Sequence, residues 1–219
     1  MKTKAVIVGA SGLVGSHLLD LLLQNNQFDE IRCFSRKKLP IKHQKLIQFE
    51  IDFQQPGQIM DDFTGDVVFC CVGTTIKNAG SKEKFRSVDY EIPCELAKLA
   101  ENKLFKSFVV ISSLGADPES TNFYLKTKGQ MQQCIEMLKI PQKVFIQPSL
   151  LLGKRPEFRF GERIGEIVMR SFGFLLIGKL RKYRAIRAEI VALSMIKIAL
   201  DNKFTGPISS DLLVKIANS

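Results

Sequence analysis

Residues 6–23, VIVGASGLVGSHLLDLLL, change character twice. The stretch opens as a continuously apolar, β-branched run, passes through three glycines and continues with leucines at helical spacing. Strand, glycine turn and helix in that order are the start of a phosphate-binding βα unit. Gly9 permits the tight turn, Gly12 lets the backbone come close to a pyrophosphate, and Gly15 lets the helix pack against the sheet. The turn over Ser11, Gly12, Leu13 and Val14 then presents free N–H groups and the positive end of a helix dipole to an anion.

Outward from that turn, short apolar runs alternate with longer segments of helical period. Strands are predicted at 5–8, 31–34, 46–51, 66–72, 107–112 and 143–147. Helices are predicted at 13–24, 82–102 (with an early break) and 124–138. AVIV, DVVFCCV and SFVVIS are continuously apolar, as strands covered on both faces must be. This alternation describes an α/β fold, a doubly wound parallel sheet with helices on both faces. Its ligand crevice lies at the carboxyl ends of the strands. After Pro148 the texture changes. A helix at 188–201, a short strand at 207–209 and a helix from Asp211 are predicted there. The chain therefore reads as one domain over 1–219, with a dinucleotide-binding core at 1–153 and a small basic C-terminal cap at 154–219.

Composition sets the outer limits. The chain has 219 residues, 45% hydrophobic and 25% charged, enough for a sizeable core and against disorder. No apolar stretch has membrane-spanning length. The run after Lys2 and Lys4 is too short for a signal peptide and is broken by glycine. Cys33, Cys70, Cys71, Cys94 and Cys134 are odd in number and irregularly spaced, so neither a disulfide framework nor a metal site is expected. A reducing, cytoplasmic location follows. His17 and His43 are isolated and receive no catalytic role.

The end of the second strand bears on which dinucleotide is bound. NAD sites usually place a carboxylate there for the ribose 2′-hydroxyl. This chain has Ser35, Arg36, Lys37 and Lys38 instead. A guanidinium suits a 2′-phosphate, so NADP(H) is preferred over NAD(H). Asp52, ending the third strand, is a candidate acceptor for the adenine amino group. A turn or cap role would explain it equally well. Val72, Gly73 and Thr74 follow the fourth strand, where the chain passes the dinucleotide, and Gly73 allows close backbone approach.

Candidate chemistry follows the fifth strand. Tyr124 and Lys128 stand one helical turn apart in YLKTK and share a face. An adjacent ammonium lowers a tyrosine's pKa and makes it a usable acid/base, and the same lysine can bond the nicotinamide ribose. Ser113, with Ser112 beside it, ends the fifth strand and is placed to orient a substrate carbonyl.

Glycine turn, basic strand end, Ser112–Ser113 and Tyr124-x-x-x-Lys128 together resemble the short-chain dehydrogenase/reductase superfamily. FCCVGTT, SKEKFRSVDYEIPCELAKLA, VISSLGAD and YLKTKGQ are similar to its atypical, NAD(P)H-binding, HIV-Tat-interacting oxidoreductase-like branch. That branch includes NmrA-like proteins and nucleoside-diphosphate-sugar epimerases. The resemblance covers residues 4–153 well. It implies a Rossmann-type fold, NADPH binding and a Ser–Tyr–Lys site. Tyr124 would be the proton donor/acceptor, Lys128 would hold the ribose, and Ser113 would polarise substrate, with Ser112 as the alternative. Pro148 falls in a stretch that borders nicotinamide in the superfamily. Many members carry an asparagine in the helix after the fourth strand, where this chain has Asp89.

Net charge is +10, and residues 154–187 alone carry ten basic and three acidic side chains. That segment suits a mouth for an anionic small-molecule substrate, or contact with an acidic partner or a membrane surface. Base-stacking aromatics are sparse and no nucleic-acid motif is present, so nucleic acid is not an expected partner. The sequence leaves the oligomeric state open; the resemblance offers a homodimer as one option, through helix faces near Asp89 and Tyr124 that often pair in the superfamily. The leading functional reading is an NADP-dependent oxidoreductase acting on a carbonyl/alcohol pair. The alternatives are an NADP(H)-binding regulatory or sensor protein and a nucleotide-sugar epimerase, the latter disfavoured by the basic strand end.

Overall fold

A computed structural model describes residues 2–53, 61–153 and 178–219. Its main sheet has seven strands: β1 (Thr3–Val8), β2 (Phe28–Ser35), β3 (Leu46–Glu50), β4 (Val67–Cys70), β5 (Ser107–Ile111), β6 (Gln142–Gln147) and β9 (Gly206–Ser209). They lie in the order β3-β2-β1-β4-β5-β6-β9, and every pairing is parallel. The order reverses between β1 and β4, which opens a crevice above their carboxyl ends. Val6, Ile7, Val8, Val68, Phe69, Phe108 and Val109 are wholly buried, the outcome expected for strands covered on both faces.

One face is covered by α1 (Leu13–Gln24), α6 (Ala188–Leu200) and α7 (Ser210–Asn218). Leu18, Leu19 and Leu22 of α1 join Val191, Ala192 and Met195 of α6 in one core cluster. The other face carries α4 (Ile92–Asn102) and α5 (Phe123–Glu136), whose Leu96, Ala97, Met131 and Ile135 pack with Phe105, Phe108 and Phe145. Two short helices, α2 (Ile76–Ala79) and α3 (Lys82–Arg86), precede α4. Thr75 and Ser81 cap them by accepting from Asn78 N and Lys84 N.

The expected cap is placed differently where it is described. Residues 154–177 lie outside the described residues. Beyond them a 3₁₀ turn (Gly178–Tyr183) leads to β8 (Ile186–Arg187), which pairs with β7 (Leu151–Leu152). β9 then pairs with β6 and extends the main sheet, and α6 packs on α1. Residues 188–219 thus complete the sheet and one helical layer, because their apolar stripe finds its partners on α1.

The predicted helix at 82–102 is interrupted by a π-turn over Ser87–Glu91, in which Ile92 N donates to Ser87 O. Pro93 explains the break. It has no N–H for the carbonyl of Asp89, four residues earlier, and its ring would clash with that carbonyl in a regular turn.

Candidate functional site

A cavity of about 650 Å³ runs along the crevice. One end is walled by Ser11, Gly12, Leu13, Val14 and Arg36, and the other by Ser113, Tyr124 and Lys128. Val72, Gly73, Thr74 and Pro148 line its middle.

At the first end the backbone does the work. Gly9 has φ +87°, and a Cβ there would sit 2.6 Å from the carbonyl carbon of Cys71. A Cβ on Gly15 would lie 2.2 Å from Gly9 O. Gly9 and Gly15 therefore shape the turn from beneath, and neither lines the cavity. Gly12 N donates to Gly9 O at 3.0 Å and closes the turn. Gly12 is also the cap residue of α1, in extended conformation and with no side-chain bond to the first turn. The first turn carries no acidic residue that would compete for an anion. Uncapped N–H groups facing a cavity are what a pyrophosphate requires.

Arg36 is exposed and lines the cavity. The other strand-end candidates do not reach it. Ser35 is buried, and its hydroxyl donates to Lys37 O at 2.7 Å, which stabilises the bend after β2. Lys37 and Asp52 are exposed and do not line the cavity.

At the other end a charge is buried. Lys128 and Asp89 are 2% and 1% exposed, and Lys128 Nζ lies 2.8 Å from Asp89 Oδ1. The ammonium also donates to Ile111 O at 3.3 Å. Asp89 Oδ2 accepts from Thr74 N at 2.8 Å. Burial alone would pull the lysine's pKa down. The Asp89 carboxylate, assisted by Tyr124, outweighs it and holds Lys128 above its ordinary value. Gly73 makes room for this pair, since a Cβ there would meet Asp89 Oδ1 at 3.3 Å.

Tyr124 is half-buried at the N-terminal end of α5, its ring tilted against Phe85 with centroids 5.5 Å apart. Asn122 caps this helix by accepting from Leu125 N. The two serines differ in environment. Ser112 is buried, and its hydroxyl accepts from Gln132 Nε2. Ser113 is half-buried, and among the described residues its hydroxyl has only a long contact, 3.4 Å, to Leu114 O. Ser113 is therefore the hydroxyl left for an external partner.

Thr75 continues the Val72–Thr74 stretch, and Ser149 and Leu150 continue the Pro148 stretch, that the sequence reading places beside the dinucleotide; all three line the cavity, as does Asn78, which that reading does not single out. Gly129 has a role that sequence reading did not supply: a Cβ there would come within 2.2 Å of the Asp117–Pro118 backbone, so the glycine seats α5 beneath that loop. Among the described residues no cluster of His, Cys, Asp or Glu could hold a metal ion. The described cysteines are all free, and burial pushes the Cys70 thiol up to about 11.

A family model described as NAD(P)H-binding matches residues 9–143. The chain belongs to this family. It is 33% identical to "Protein FMP52, mitochondrial" of Debaryomyces hansenii over 89% of this chain and 87% of that protein. It is 36% identical to "Protein HTATIP2" of Rattus norvegicus over 74% and 69% of the two chains. The family thus sits in the atypical short-chain dehydrogenase/reductase group that the motifs resemble. Among solved structures, human epimerase family protein SDR39U1 with NADPH superposes with a TM-score of 0.63 at 16% identity, covering 94% of this chain and 72% of that one. MoeE5 in complex with UDP-glucose and NAD superposes with a TM-score of 0.70 at 15% identity, covering 98% and 80%. At these identities the superpositions speak to the Rossmann-like fold. Among the described residues of this NAD(P)H-binding protein, no helix is long and apolar enough to cross a membrane.

Proposed function

We propose that the protein is an NADP(H)-dependent oxidoreductase acting on a carbonyl/alcohol pair. The observation that carries this reading is a single cavity that joins the glycine turn and Arg36 to Ser113, Tyr124 and Lys128. The residues present fit the dinucleotide: Gly12 faces the cavity with no side chain, and the helix it opens has no side-chain cap. Leu13 and Val14 would hold the pyrophosphate through backbone N–H groups, and Gly12 would let it come close. Arg36 would pair with the 2′-phosphate, and its bidentate fork favours NADP(H) over NAD(H). Lys128 would bond the nicotinamide ribose.

Bound there, the nicotinamide supplies or accepts a hydride. The chain supplies the rest. Ser113 donates to the substrate oxygen and fixes its orientation. Tyr124 moves the proton at that oxygen, giving it in reduction and taking it in oxidation. The exposed cationic side chains Arg181 and Lys182, at the described end of the basic segment, support an anionic substrate. The free, buried thiols support a reducing compartment, which we take to be the cytoplasm.

Tyr124→Phe tests the assignment. Turnover of a carbonyl panel with NADPH should fall by about 1,000-fold or more, while NADPH affinity changes little. Unchanged turnover would sink the role given to Tyr124. Comparing NADPH with NADH affinity tests the cofactor preference, and equal affinities refute it.

A further inference from the structure

An ammonium at 2% exposure has left water and must be compensated where it lies. Lys128 has three donors. One is directed to Ile111 O at 3.3 Å, and the carboxylate of Asp89 lies 2.8 Å away. That leaves one donor for the cavity that Lys128 lines. The second oxygen of Asp89 accepts from Thr74 N, on the loop that follows β4. Asp89 itself sits in the middle of the π-turn that Pro93 enforces, so its backbone has no regular helical register to keep.

We propose that Asp89 is a positioning residue: its carboxylate keeps Lys128 charged and aimed into the cleft, and ties that lysine to the Thr74 backbone on the loop after β4. A neutral isostere would keep the Thr74 bond but not the charge. The groups facing Lys128 from the elements around it are Asp89 on the π-turn, Cys70 on β4 and Tyr124 on its own helix. The Cys70 thiol, pushed up to about 11 by burial, is neutral at physiological pH and does not replace the carboxylate. Asp89 is therefore the sole compensating anion among these groups at neutral pH. This assignment rests on the proposed function only for what the aimed lysine binds.

The test compares wild type, Asp89→Asn, Lys128→Met and the double variant in thermal unfolding at pH 7 and pH 9.5, with NADPH affinity measured by fluorescence at pH 7. Asp89→Asn leaves the buried ammonium unpaired, so its folded-state pKa drops below the unfolded value. The folded state then binds fewer protons, and stability rises with pH. The expected Tm deficit is roughly 10 °C at pH 7 and less than half of that at pH 9.5. The double variant removes both charges and should recover most of the deficit, which keeps the test decisive if the single variant fails to fold. NADPH affinity should fall roughly tenfold in Asp89→Asn, with no further loss when Asp89→Asn is added to Lys128→Met. A Tm deficit that is absent, or equal at both pH values, overturns the proposal, as does a double variant no more stable than Asp89→Asn. A wild-type protein that binds no NADPH defeats the proposed function instead. The Tm comparison needs no cofactor and still decides the role of Asp89.

Discussion

The two ends of the cavity hold charge in opposite ways. At the glycine turn the polar groups are the backbone N–H groups of a helix without a side-chain cap and one exposed guanidinium, Arg36. At the Tyr124 end the charge is an ammonium sealed against a carboxylate, both almost wholly buried. An exposed charge costs little to keep, but salt screens it. A buried pair is screened far less and holds its geometry, yet either partner alone is a liability. One end is therefore sensitive to salt, and the other is fixed in its geometry.

Breaking the shared frame should have the largest effect. Gly15→Ala drives a Cβ to 2.2 Å from Gly9 O, and backbone cannot yield as a side-chain tip can. A loss of about 3 kcal/mol or more is expected, with NADPH binding abolished, measured by denaturant unfolding and titration. A variant that folds and binds normally would show that the turn tolerates a displaced helix.

The buried end comes next. The folded-state pKa of Lys128 is raised above its ordinary 10.5, so the pair's stabilisation is fully present below that pH. It is lost as pH rises through the higher folded value. Wild type should therefore lose stability in strongly alkaline solution more steeply than Lys128→Met, checked by chemical unfolding from pH 9 to 12. Parallel curves would place the alkaline transition elsewhere.

The exposed end should respond to salt. Arg36→Ala should weaken NADPH binding about tenfold at low ionic strength, less at 0.5 M salt, and leave NADH binding nearly unchanged. Equal losses for both dinucleotides would assign Arg36 to adenine stacking. The smallest effect is expected where a charge pair is exposed and remote from the cavity. Lys106 and Asp66 lie 2.8 Å apart, with Lys106 74% exposed, and Lys106→Ala should cost less than about 1 kcal/mol.

Much of the fold is legible in the sequence. The α1 limits coincide with expectation, and the strand limits differ by a few residues at most, because strands buried on both faces and a leucine-rich helix leave strong periodic signals. Ser113, Tyr124, Lys128 and Arg36 all reach one cavity, as their places at strand ends and on one helix face require. Other assignments needed three dimensions. Ser35 and Asp52 have the right chemistry for a nucleotide, yet Ser35 turns into the β2 bend and Asp52 stays outside the cavity. The placement of residues 188–219 in the sheet depended on a long-range match between α6 and α1, which no local pattern encodes.

By itself, the sequence determined the phosphate-binding βα start, the parallel order of strand and helix, and the basic, carboxylate-free end of β2. These are local properties, set by glycine spacing, hydrophobic period and residue charge. Tertiary structure alone decided the difference between the two ends of the cavity. It buried Lys128, brought Asp89 to it from 39 positions away in a π-turn opened by Pro93, and left Arg36 in water. The physical reason is that a charge's character depends on what surrounds it, and the surroundings of Lys128 come from four separate segments of the chain.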